Sequence, residues 1–257
     1  MAWPNLLRLV YRNIRVNTDA GSLIILVGLP AMYLVFFGFG FQSVASGADP
    51  GLGGGYLRFL GPGIMSFQAV MAGTVGGSML WADRRWGMLA QLLVGPFTRL
   101  QYLLGIMVTS LLFGLVGALV MLGASAVLLG GALPGVLAVL AMLGVISLGS
   151  LFFGSLMLLI SALVKSNNAY NSIQILVLFL VNFASTVFYP LSPQLPGVLK
   201  VLFLVNPLTY IANNVRGVYL SSLNGTDLLE LGVLAAETVV LLYLASRAYL
   251  RSSLSLD

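Results

Sequence analysis

Charged residues punctuate this chain so sparsely that the apolar intervals between them can be measured against a bilayer. Asp19 and Asp49 enclose 29 uncharged residues, Arg58 and Asp83 enclose 24, and Arg99 and Lys165 enclose 65. A hydrocarbon core about 30 Å thick takes roughly 20 helical residues, and helices are required because backbone polar groups find no water there. The first two intervals each predict one span, at about 21–41 and 60–81. The third is too long for one, and Gly130, Gly131, Pro134 and Gly135 break it into a hairpin of helices at about 103–129 and 136–164. Further spans are expected over 173–188 and, interrupted only by Glu237, over 228–248. The expectation is an all-α membrane protein, a single domain over 1–257 with six transmembrane helices.

Three segments do more than span. In residues 3–15, Trp3, Leu6, Leu7, Val10, Tyr11 and Ile14 recur at helical spacing while Arg8, Arg12 and Arg15 take other positions. This predicts an amphipathic helix lying in the headgroup plane, anchored by Trp3, Arg8, Tyr11, Arg12 and Arg15. It serves as a topology anchor, or also as a rail beside a lateral entrance. After the second span, Asp83, Arg84, Arg85, Trp86 and Gly87 lead into a short helix within about 83–95 that Pro96 stops. Its Leu89, Leu92 and Leu93 share one face, a pattern suited either to a groove on another protein or to the headgroup layer. Before the last span, two short helices over about 197–221 are expected to break at Asn206 and Pro207 and to re-enter the membrane partly from outside, as an external gate or as a lid on the bundle.

Composition agrees with the pattern: 59% of residues are hydrophobic, only 7% are charged, and the mean hydropathy is +1.03. Soluble domains carry about a quarter charged residues, so no separate soluble domain fits. Arg8, Arg12, Arg15, Arg84, Arg85, Arg99, Lys165, Arg247 and Arg251 fall on one side of the expected spans, against Arg58, Lys200 and Arg216 on the other. Such a bias places both termini in the cytoplasm, in a plasma or bacterial inner membrane. Ala45, Ser46 and Gly47 imitate a leader-cleavage motif, but the apolar run of 21–41 is too long for a leader and suits a retained helix.

The chain has no His and no Cys, which removes imidazole and thiol chemistry and the usual metal ligand sets, so no metal is expected. Its basic residues are scattered without a stripe for nucleic acid. Neither lysine, Lys165 or Lys200, follows a glycine-rich phosphate loop, and the run Gly51, Leu52, Gly53, Gly54, Gly55 is expected outside as a flexible turn. The chain is therefore not expected to be an enzyme. Gly73 and Gly77 form a GxxxG face suited to close helix packing. Glu237, in mid-span, is expected to be paired or to face a cavity. As part of a proton relay it would make the chain a proton-coupled secondary transporter. A non-transporting membrane scaffold is the third alternative.

Three stretches resemble the ABC-2 type transporter permeases, with the closest likeness to the daunorubicin-exporter-like branch. They are Tyr56, Leu57, Phe59, Leu60, Pro62, Gly63; then Asp83, Arg84, Gly87, Leu89, Leu92, Leu93, Pro96; then Asn206, Pro207, Leu208, Thr209, Tyr210 with Arg216. The family usually has Thr, Glu and Ser or Thr where Met88, Ala90 and Gly95 stand here. The resemblance implies the permease subunit of an ATP-driven exporter, energised by a separate ABC ATPase dimer that holds the ATP and Mg, with no cofactor in this chain. Asp83, Arg84, Arg85, Trp86, Gly87, Leu89, Leu92, Leu93 and Pro96 would form the coupling contact, with Lys165 in a second loop to Ser172. Asn206 to Tyr210 and Arg216 would belong to the external gate. Six helices are half a transporter, so a second copy or a paralogue is implied beside membrane lipid. A pathway with few fixed charges, lined by Tyr33, Phe36, Phe37, Phe179, Phe183, Phe188 and Glu237, suits an amphipathic, lipid-like, drug-like or lipid-linked glycan substrate.

Overall fold

The computed structural model describes residues 3–40, 55–130, 133–191 and 194–251. The cleavage-like residues 45–47, glycines 51, 53 and 54, Gly131 and the side chain of Trp3 lie outside what it describes. All regular structure among the described residues is helical. Helix α1 runs Trp3–Val16, and α2 follows over Ala20–Gly40 with a π-helical stretch at Ile24–Gly28. The Asp19 carboxylate caps α2 by accepting from the Ser22 amide. Helix α3 is Tyr56–Arg85 and α4 is Met88–Val94. Helix α5, Arg99–Leu129, starts on a capping box of Thr98 and Gln101 and ends at left-handed Gly130. Helices α6, Val136–Leu163, and α7, Asn167–Phe183, meet at Ser166, whose hydroxyl caps α7. Then come α8, Gly197–Leu204, α9, Pro207–Tyr219, and α10, Gly225–Arg251.

Four of these, α2, α5, α6 and α10, are long and apolar enough to cross a membrane, or five if α8 and α9, bent by 67°, form one broken span. The expected six are not reached on those criteria, because α7 has only 17 residues and α3 carries too much polarity. The position of α3 explains its composition. It is packed by α5, α6, α9 and α2 and is buried through most of its length. A helix surrounded by protein needs small side chains for close approach more than lipid-facing apolar ones. A Cβ on Gly73 would stand 2.6 Å from the Phe153 backbone, and one on Gly77 would stand 2.6 Å from Met157 Cβ, so the expected GxxxG face is the α3–α6 seam. Gly73→Val should therefore destabilise the bundle by about 1–3 kcal/mol through overpacking. Gly144→Ala, where a Cβ meets nothing within 4 Å, should change it by less than about 0.5 kcal/mol. Thermal unfolding in detergent distinguishes the two, and equal midpoints would remove the seam from the account.

Several sequence expectations need correction. The fifth helix starts at Asn167 and stops at Phe183 instead of covering 173–188, because the Ser166 cap opens it earlier and the chain bends after Phe183. The second cytoplasmic loop expected over 165–172 is thus mostly helix. Phe188 lies beyond α7, fully buried, with ring centroids 4.4 Å from Phe37 and 5.3 Å from Tyr33. Those three rings form a packed cluster, and Phe183 stacks on Phe188 at 5.8 Å. Phe36 and Phe179 remain exposed on the outer faces of α2 and α7, and Phe183 is partly exposed. Nor does α1 simply float in headgroups: Leu9 and Asn13 are buried, and a Cβ on Gly105 of α5 would come 3.1 Å from Leu9 Cβ. Leu7 and Tyr11 stay exposed on its other side.

Candidate functional site

Helix α3 ends because Gly87 adopts φ +68°, a left-handed conformation open to glycine, which turns the chain into α4. The resulting elbow is narrower than the expected 83–95, since α4 itself covers only Met88–Val94 and Asp83 to Arg85 still belong to α3. Its leucine face is turned toward the bundle. Leu89 is 0% exposed and Leu92 and Leu93 are half-buried against a cluster with Leu9, Leu80, Tyr102 and Leu103. An apolar stripe on a short helix finds its nearest cover in its own bundle. The side chains left outward are Arg85, Trp86, Met88, Gln91 and Val94, with Trp86 74% and Val94 90% exposed. Arg85 sits over the Trp86 ring, 5.1 Å from its centroid.

The charges beside the elbow face inward too. Both Asp83 oxygens accept from the Arg12 fork, at 2.6 and 2.5 Å, and Tyr102 Oη donates to Asp83 at 2.7 Å. This is the only ion pair among the described residues. The Asp83 hydrogen bonds raise the Arg12 pKa above its ordinary value against the opposing effect of burial, so Arg12 stays charged. Arg12, expected as a headgroup anchor, is thus diverted to α3, because a bidentate carboxylate partner is within reach. Arg84 donates to the Ser161 and Ala162 carbonyls, near the C-terminal end of α6 where a cation is favoured. Asn5 donates to the Pro96 carbonyl at 2.9 Å, fastening the start of α1 to the segment after α4. Trp81 stacks on Tyr170 with centroids 4.8 Å apart and donates to Asn167 Oδ1, joining α3 to the first turns of α7. Lys165 is exposed just before them.

Directly next to this hub, two cavities of about 330 and 170 Å³ share Asn17 and Ser78 in their walls. The larger is lined by Ser22, Thr74, Ser78 and Gln174 among the apolar Leu26, Met71 and Val75. Gln174 Nε2 donates to Ser78 Oγ at 3.1 Å. The smaller reaches Arg12 and Asp83. A wall of neutral hydroxyls and amides beside apolar side chains can take an amphiphile whose polar end carries hydroxyl or amide groups. None of these lining residues stood out in the sequence except Arg12 and Asp83. The available signal was Thr74 and Ser78, one turn apart within an otherwise small and apolar stretch.

At the opposite end of α3 the residues expected as a gate act as staples. Asn206 Nδ2 donates to the Val181 and Ala184 carbonyls, both at 2.7 Å, while its Oδ1 caps α9 by accepting from the Leu208 amide. Pro207 is the first residue of α9, where its missing amide hydrogen costs nothing. Leu208 is fully buried, Thr209 Oγ1 accepts from the Thr186 amide, and the Tyr210 carbonyl accepts from Asn214. Arg216 donates to the Phe59 and Thr186 carbonyls. The break at Asn206 and Pro207 is as expected, and so are its two short helices. Glu237 lies in α10 with Oε2 buried and without a hydrogen-bond partner, whereas Glu230, seven residues earlier, accepts from Asn213.

Residues 5–220 match the family model described as ABC-2 type transporter. No curated protein matches the chain.

Proposed function

Since the chain belongs to the ABC-2 type transporter family, a family of multi-pass membrane subunits that pair with an ABC ATPase, we propose that it is the permease half of an exporter. It moves an amphipathic substrate, lipid-like, drug-like or lipid-linked, out of the cytoplasm, with both termini cytoplasmic. Helices α3 and α7 complete six crossings, since α3 is covered by protein and need not be apolar on every face. The observation that carries the reading is the elbow. Helix α4 is packed on the bundle through Leu89, beside the Arg12–Asp83–Tyr102 hub that ties α1, α3 and α5 together, while Trp86, Met88, Gln91 and Val94 are left outward. A rigid knuckle with a free apolar tip is what a moving partner needs to push on.

Motion of the ATPase would reach α3 at Gly87 and α1 through Arg12, and so act on both walls of the adjoining polar cavity. That cavity is the proposed entrance from the inner leaflet. A second copy or a paralogue would sit on the exposed faces of α2 and α7, carrying Phe36 and Phe179. The orphaned Glu237 oxygen is the observation that favours the second reading, a proton-coupled carrier.

Co-expression with the ATPase encoded nearest its gene is expected to give a stable complex whose ATP turnover rises with an amphipathic substrate. Proteoliposomes holding this chain alone should not accumulate substrate. Uphill transport without an ATPase, abolished by Glu237→Gln, would instead establish the proton-coupled reading.

A further inference from the structure

A buried guanidinium in a membrane protein is normally matched by a carboxylate or a phosphate, because an uncompensated charge is expensive away from water. Arg216 departs from that rule. It sits in α9, half-buried, with its guanidinium 3.7 Å from the centroid of the Phe59 ring. Its Nε donates to the Phe59 carbonyl at 3.2 Å and its Nη2 to the Thr186 carbonyl at 2.9 Å. Among the described residues Nη1 makes no hydrogen bond and no carboxylate pairs with the group. Of the acids around α9, Glu230 has both oxygens held by the Asn213 amide, and the Asp227 carboxylate accepts from the Asn224 amide.

Arg216 also forms part of the wall of a cavity of about 180 Å³, at the end of α3 remote from the elbow. Liquid water takes about 30 Å³ per molecule, so this space could hold several waters or one tetrahedral oxyanion. Its polar wall is Arg216, Thr186, Thr209 and Asn213. Thr209 Oγ1 accepts from the Thr186 amide and leaves its own proton undonated. Thr186 Oγ1 donates to Asn213 Oδ1 and Asn213 Nδ2 donates to Glu230, so the protons of both are already engaged. The donors left to the cavity are thus Nη1 of Arg216 and the Thr209 hydroxyl. The rest of the wall is apolar, with Phe203 and Leu204 from α8. Helix α8 turns Val198, Val201 and Leu202 outward, in the manner of a helix in contact with acyl chains.

We infer that the cavity lined by Arg216 and Thr209 binds a phosphate group, offered either as the headgroup of a phosphate-bearing lipid or as free phosphate. The bound oxyanion supplies the counter-charge that the fold withholds from Arg216. The adjoining apolar wall favours a headgroup with chains attached. This binding needs neither ATP nor an ATPase, so it stands or falls separately from the exporter reading.

The test uses the full chain without a partner. In maltoside detergent, the unfolding midpoint is followed against inorganic phosphate and, at equal ionic strength, against chloride. In nanodiscs, phosphatidylglycerol is compared with a phosphate-free galactolipid. Arg216→Gln removes the cation. Leu204→Trp enlarges a side chain of the cavity wall to narrow the space while leaving the carbonyl bonds of Arg216 in place, and so guards against a simple folding failure of the first variant. The expected result is stabilisation by phosphate-bearing ligand in the parent, with apparent affinity lowered about tenfold or more in Arg216→Gln through the loss of one charge-assisted contact, and lowered in Leu204→Trp because the space is taken. A response to phosphatidylglycerol alone assigns the headgroup, and a response to inorganic phosphate as well assigns the bare anion. Stabilisation that is absent in the parent, or equal in parent and Leu204→Trp, overturns the inference and leaves Arg216 as a clamp between α9, α3 and the segment after α7.

Discussion

Trp86→Asp and Val94→Asp are expected to leave the fold intact and to uncouple the ATPase, whereas Leu89→Asp is expected to destroy the fold. The three positions lie within one elbow, yet their surroundings differ. Trp86 and Val94 are 74% and 90% exposed, so a carboxylate there is solvated and costs the isolated chain less than about 0.5 kcal/mol. At an interface the same change removes an apolar anchor and buries a charge, a loss of about 2 kcal/mol or more, or roughly thirtyfold in affinity. Leu89 is 0% exposed within the cluster of Leu9, Leu80 and Tyr102, and a carboxylate there loses the apolar contact and must be desolvated, about 4 kcal/mol or more. Detergent unfolding of the chain alone, set beside ATP turnover of the reconstituted complex, separates the two effects. Wild-type turnover in Trp86→Asp and Val94→Asp together would remove α4 from the coupling path.

The second large effect is expected at the hub. Asp83→Ala strands both Arg12 and Tyr102, whose donors meet on the lost carboxylate. Arg12 and Asp83 side chains are 27% and 10% exposed, so solvent only partly replaces the bond. Breaking such a pair from one side costs about 3 kcal/mol. Arg12→Lys keeps the charge but loses the fork, and about 1 kcal/mol should go with it. The double variant Arg12→Leu with Asp83→Leu should recover part of the stability, because it leaves no unpaired charge, while coupling between turnover and transport stays impaired. A double variant as unstable as Asp83→Ala would refute the pair as the cause. The Arg12 pKa is raised, so its contribution is fully present below the ordinary arginine value and is lost only at pH above it. No loss is therefore expected from Arg12 deprotonation between neutral pH and pH 10.

The intervals between charges were sufficient to place α2, α3, α5 and α6, because lipid excludes charge and unsatisfied backbone from long stretches. The GxxxG seam, the amphipathic start, the break at Asn206 and Pro207 and the family likeness were equally legible, each carried by local spacing. The face proposed for coupling was not. Leu89, Leu92 and Leu93 have the periodicity of a docking helix, and periodicity states that a face is covered without stating by what. The polar cavity proposed as an entrance was invisible for a related reason. Asn17, Ser22, Ser78 and Gln174 are far apart along the chain and are ordinary residues until α2, α3 and α7 bring them to one wall.

The sequence alone determined that this chain lives in the membrane as a helical bundle and carries neither a nucleotide loop of the glycine-lysine type nor imidazole or thiol chemistry. Those properties depend on composition and on separations along the chain. The tertiary structure alone decided that Arg12 binds Asp83 instead of headgroups, that α3 lies at the centre, and that Phe188 plugs the core. Each of these depends on which surface stands opposite, and a charge or an apolar stripe takes the nearest partner that satisfies it, a distance that exists only after the helices have packed.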